Sequence, residues 1–256
     1  MFEKSIKGPV IYIRHAESKF NEIMMVTNNS HLKNSRELID CGITENGKKQ
    51  CELLAKTMQD LKLKYVFISP LNRAIDTCYL SLKDHPDFLN FKFIILPLAS
   101  EIIDSSCDIP FSLLEKKIRY QNYKNFDLIW EFYKDYFFLD NIDDVDFVEK
   151  LKEVNFSKYD ENYAIYEKGL DQCKTKNYSG ESVCHLFKRG CELKKFFKNF
   201  LTTINLDDNE KILLFTHSAL TKIGTSSIAL SLDEFHLFPE DCYTLKNCEY
   251  LTMNLD

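Results

Sequence analysis

Short runs of β-branched and aromatic residues alternate along this chain with longer stretches in which apolar residues recur every three or four positions. Val10–Ile13 (VIYI), Tyr65–Ile68 (YVFI), Phe91–Leu96 (FKFIIL) and Lys211–Phe215 (KILLF) have the length and composition of strands buried on both faces. Between the first two, Thr44 is placed to cap a helix carrying Cys51, Leu54, Ala55, Met58 and Leu61 on one face. Ser69-Pro70 closes the second strand, and a helix through Ala74, Ile75, Cys78 and Tyr79 follows. Amphipathic helices are predicted from about Glu181 to Leu201 and from Ala219 to Leu230, and Tyr243–Leu255 could add an edge strand. Strands and helices in this alternation predict an α/β fold: a mostly parallel central sheet with helices on both faces.

The stretch from about 105 to 178 breaks the pattern. It is crowded with aromatics (Phe111, Tyr120, Tyr123, Phe126, Trp130, Tyr136) and then with acids (Asp140, Asp143, Asp144, Asp146), and has little strand character. It is expected to be a largely helical insertion or cap on a single domain spanning 1–256. Its aromatics are expected mainly to pack a core, with substrate lining as the alternative role.

Composition narrows the function. A net charge of -6 leaves no basic stripe for nucleic acid and no polybasic face for a membrane surface. The opening Met1–Pro9 lacks the apolar stretch of a signal peptide, and there is no run of 18 apolar residues. Nine cysteines without a C-x-x-C pair read as reduced thiols of a cytoplasmic protein. Cys184, His185 and Cys191 match no metal-ligand spacing, so no metal or other cofactor is expected.

Three polar clusters fall where a strand ends, which is where open parallel sheets bind ligands. They are Arg14-His15-Ala16-Glu17-Ser18 with Asn21, then Ser69-Pro70-Leu71-Asn72-Arg73-Ala74, then Thr216-His217-Ser218. Each alone has an ordinary structural explanation. Together they are what a phosphate monoester needs: a nearly dianionic group calls for guanidinium forks, and a neutral imidazole can act as nucleophile.

These segments resemble the histidine phosphatase superfamily. IYIRHAESKFN is similar to its R-H-G motif, DCGITENGKKQ to its D-x-x-L-T-x-x-G-x-x-Q segment, SPLNRAIDT to S-P-L-x-R-A-x-x-T, and FTHSAL to its second-histidine motif. SGESVCHLFKR (Ser179–Arg189) resembles a G-E-S…R helix start. The resemblance implies a phosphoglycerate mutase-like three-layer sandwich and a metal-independent phosphatase acting on a phosphorylated small molecule, or on a phosphoprotein. It implies that His15 becomes a phosphohistidine while Arg14, Arg73 and His217 surround the phosphoryl oxygens. Asn21 would add a hydrogen bond to the phosphate and Ser18 would position the loop. The general acid/base is expected shortly after the third strand. Glu101 matches best, Asp104 could replace it, and Asp108 reads as structural.

Two departures stand out. Ala16 occupies a glycine position close to the phosphate, and Ser218-Ala219 replaces a glycine pair. The stretch from Glu22 to Asp40 lacks tryptophan and the acid segment reads SEIIDSSCDIP, both unlike a mutase. A mutase-type phosphotransferase and a non-catalytic phospho-ligand scaffold are the alternatives.

Overall fold

The structure, a computed structural model, describes residues 8–27, 32–33, 35–111, 113–130, 183–225, 244–253 and 255. Glu181, the part of the predicted 219–230 helix beyond residue 225 and most of the 105–178 block lie outside them, as do the side chains of Cys184 and His185.

The apolar runs form the centre of a six-stranded sheet. Its strands are β1 (Val10–Arg14), β2 (Lys62–Ile68), β3 (Lys92–Ile95), β4 (Leu128–Ile129), β5 (Glu210–Thr216) and β6 (Tyr250–Thr252), in the spatial order β4-β3-β2-β5-β1-β6. All neighbours are parallel except β6, which runs antiparallel to β1. Because β5 lies between β1 and β2, the chain reverses its winding there, and a crevice opens at the strand ends. Register brings the tips level: Arg14 lies opposite Thr216, and Ile68 opposite both Phe215 and Ile95.

Alternation along the strands sends side chains to two cores. Ile11, Ile13, Val66, Ile68, Leu213 and Phe215 face α2 (Glu45–Met58) and α3 (Asn72–Leu82), meeting Leu54, Met58, Ile75 and Cys78. Val10, Tyr12, Phe67, Ile212 and Leu214 face α5 (Val183–Thr203) and α6 (Ser218–Thr225), meeting Leu186, Leu193, Phe197 and Leu220. Burying each such side chain contributes about 1.5–3 kcal/mol, so these layers hold the strand tips in place. Thr44 caps α2 as expected, its hydroxyl accepting from the Gly47 amide at 2.9 Å.

Two features were not foreseen. Helix α1 (Lys19–Thr27) buries no residue fully, its Phe20, Ile23 and Met24 being half-buried. The short β4, inside the block expected to be a helical cap, extends the sheet beyond β3. Ahead of β4 comes α4 (Leu113–Tyr120), which is helical as expected; Tyr120 and Phe126 sit in the core, and Tyr79–Phe126 and Phe93–Phe126 ring centroids lie 5.2 and 4.8 Å apart. In this described part the aromatics are core, and two strand residues are too few to make a readable apolar run.

Candidate active site

The strand ends and the loops that follow enclose a cavity of about 370 Å³ lined by Arg14, His15, Ser18, Asn21, Arg73 and Glu101, among others. Six of the seven residues read from the sequence thus line one cavity. The seventh, His217, is fully buried beside His15, with ring centroids 5.1 Å apart, and lies off the lining.

The loop after β1 is braced from all sides. The Ala16 amide donates to Thr77 Oγ1 at 2.9 Å, and the Glu17 amide to Gln50 Oε1 at 2.8 Å. Thr44 and Asn46 donate to the Glu17 carboxylate, and a Cβ on Gly47 would stand 2.4 Å from the Glu17 carbonyl oxygen. The D-x-x-x-T-x-x-G-x-x-Q spacing therefore grips the histidine loop, with a glycine where two backbones touch. Asp40 grips the other cluster, accepting the Asn72 amide at 2.7 Å while the buried Lys116 ammonium pairs with it. Ser18 and Asn21 exchange bonds at 3.2 Å each way, the reciprocal pattern that starts α1. This occupies Asn21 Oδ1 and leaves its amide hydrogens for other partners.

The Ala16 methyl packs with Ile43 and Cys51, and Ala16 is not part of the cavity lining, so the alanine does not crowd a phosphate. Ser218 simply begins α6.

His15 has its nitrogens differentiated. Its Nδ1 lies 2.6 Å from the Ala16 carbonyl oxygen, which can only accept, so Nδ1 carries the proton. Burial, then the charges of Arg73 and Arg14, hold its pKa well below the usual 6.5. The ring is therefore neutral, with the lone pair on Nε2. The same causes, burial first and Arg73 next, keep His217 neutral; its Nε2 is 2.7 Å from Ser69 Oγ, and its Nδ1 has no hydrogen-bond partner among the described residues.

The two arginines are aimed by the fold. Arg14 Nη1 donates to the Leu245 carbonyl at 2.7 Å, while Asn247 holds the His15 carbonyl at 2.9 Å. Residues 245–249 thus brace the β1 tip, a role with no sequence signal. Arg73, 3% exposed, donates from Nη1 to the Cys107 carbonyl at 2.6 Å and from Nη2 to Asp108 Oδ1 at 2.8 Å. Asp108, read as structural, does shape its turn by accepting from Ser105, but it also lines the cavity and fixes this guanidinium. A carboxylate seven residues past the expected acid was the available signal.

Glu101 sits in the loop after β3, held by the fully buried Arg189, which donates to the carbonyls of Leu98, Ser100 and Glu101. Burial and then the charge of Asp108, opposed by Arg73, raise its pKa from 4.5 to about 7. Asp104 is instead paired with Lys33 at the rim.

An imidazole with a free lone pair, two guanidiniums and a carboxyl group titrating near neutrality can exchange a proton and hold an oxyanion in one place. Such a set of groups is suited to a phosphate ester, and the fold that carries it is α/β. Residues 10–92 match the family described as histidine phosphatase superfamily (branch 1). No curated protein matches the chain. Among solved structures it is similar to an ecdysone phosphate phosphatase from Bombix mori, at 12% identity over 94% of this chain and 86% of that one, with a TM-score of 0.48. A mycobacterial glucosyl-3-phosphoglycerate phosphatase matches at 11% identity over 94% and 87%, TM-score 0.47. A phosphoserine phosphatase from Entamoeba histolytica matches at 17% over 84% and 76%, TM-score 0.40.

Proposed function

We propose that this protein is a phosphatase that hydrolyses a phosphate monoester through a phosphohistidine on His15, without a metal, acting in the cytoplasm. The observation that carries the reading is the pairing, in one cavity, of a neutral His15 whose Nδ1 is engaged with two fixed guanidiniums.

In the first step His15 Nε2 attacks phosphorus and the bond to the leaving oxygen breaks, while Glu101, protonated near neutral pH, gives that oxygen its proton. In the second, Glu101 takes a proton from water, which attacks the phosphohistidine and frees inorganic phosphate and His15. Arg14 and Arg73 hold the equatorial oxygens throughout. The Asn21 amide group is a further donor available to them, His217 stands behind His15 as a neutral ring, and Ser18 fixes the start of α1. The substrate is a phosphorylated small molecule or a phosphoprotein side chain.

Phosphate release from an aryl phosphate, measured with and without chelator, tests this. His15→Ala is expected to abolish release and chelator to leave it unchanged. Binding of phosphorylated ligands without turnover would make the protein a scaffold, and isomerised 3-phosphoglycerate among the products would make it a mutase.

A further inference from the structure

The fixed charges of the cavity are mostly matched in pairs. Deep inside, Arg73 meets Asp108, their side chains only 3% and 6% exposed. At the rim, Lys33 meets Asp104, both about a third or more exposed. Ser106 locks this rim together, its hydroxyl lying 3.1 Å from the Lys33 carbonyl and 2.8 Å from that of Ser35. Arg14 is the lining cation with no ion-paired carboxylate among the described residues. The remaining lining includes the apolar Phe20, Met24 and Ile102.

A phosphoryl group brings a charge of about −1.5 to −2. Arg14, together with the hydrogens Arg73 does not spend on Cys107 and Asp108, answers that charge. Nothing in the described lining answers a second one. An anionic substituent on the leaving group would meet a neutral Lys33–Asp104 pair, losing its hydration for no net attraction. A hydrocarbon substituent would meet Phe20, Met24 and Ile102.

We propose that the site selects phosphate monoesters whose leaving group is apolar and carries no second anion, and that Asp104 enforces this choice by neutralising Lys33. The proposal rests on the phosphatase reading above. It makes Asp104 a specificity residue rather than a proton donor.

Phenyl phosphate and 4-carboxyphenyl phosphate differ at the leaving group by one carboxylate, so the ratio of their kcat/KM values reads the rim charge. Comparing that ratio between variants cancels both intrinsic reactivity and any loss of folded protein. The full-length wild type is expected to favour phenyl phosphate. In Asp104→Asn the unpaired Lys33 is expected to shift the ratio toward the carboxylated ester by about fivefold, the strength of an exposed ion pair, and less at high salt. Lys33→Gln, which leaves Asp104 unpaired, is expected to shift it by a similar factor the other way. Unchanged ratios in both variants, or a wild type preferring the carboxylated ester, overturn the proposal while leaving the phosphatase reading intact. Loss of turnover on both esters in Asp104→Asn, with the variant folded, overturns it by making Asp104 the acid. A wild type that hydrolyses neither ester overturns both.

Discussion

Replacing Glu101 by Gln keeps the shape of the side chain and removes its titration. In the folded protein this carboxyl group holds its proton up to about pH 7, against 4.5 ordinarily. That displacement corresponds to about 3 kcal/mol at full burial, and to ~1–2 kcal/mol once screening by the open cavity is allowed for. The sign follows from proton binding. Between pH 4.5 and about 7 the folded state keeps a proton that the unfolded chain releases, so stability falls as pH rises through this window. Below it, a neutral Glu and a Gln are equivalent. Above it, the wild type carries a charge its site disfavours. Urea unfolding is therefore expected to show Glu101→Gln equal to wild type near pH 4.5 and more stable by ~1–2 kcal/mol at pH 8. The same substitution is expected to lower kcat by about 10²–10⁴-fold and to remove the fall in wild-type kcat/KM above pH 7. A variant that is no more stable at pH 8, or that retains turnover with the wild-type pH profile, would refute the assignment of Glu101 as acid and base.

Other substitutions probe the supports. Asp108→Asn removes both the partner of Arg73 and a charge that raises the Glu101 pKa; inhibition by inorganic phosphate is expected to weaken about tenfold and the alkaline limb of the pH–rate profile to move to lower pH. Lys116→Met leaves Asp40 buried and uncompensated at the start of α3, so unfolding free energy is expected to fall by about 3–5 kcal/mol, with Asp40→Asn partly restoring it in the double variant. Gly47→Ala forces a methyl against the Glu17 carbonyl; stability is expected to drop by ~1–3 kcal/mol and kcat to fall with KM nearly unchanged, because the displaced loop carries His15.

What was legible in advance was what repeats locally. Four apolar runs marked the central strands, and Arg14, His15, Arg73 and His217 could be grouped because each follows such a run within a segment that resembles a family motif; the register of the folded sheet brings those tips level. The Thr44 cap and the α5 boundaries were likewise readable from side-chain chemistry and periodicity, the latter to within two residues. Groups whose role depends on distant backbone were not. Leu245 and Asn247 act on Arg14 and His15 from more than 230 positions away, one of them through its carbonyl, which no residue type advertises. Asp108 could be read only as a turn former until Arg73 was found against it. The burial of His217, off the cavity lining, likewise depends on how β5 threads between β1 and β2.

The proposed reaction turns on one covalent bond, between phosphorus and His15 Nε2. Mixing the wild-type chain with an aryl phosphate, quenching within milliseconds in alkaline denaturant and mapping the phosphorylated peptide by mass spectrometry tests it most directly. One phosphoryl group on His15 is expected, formed at least as fast as turnover and absent in His15→Ala. Phosphate released at full rate with no phosphoryl group on that residue, or with the group on another side chain, would contradict it.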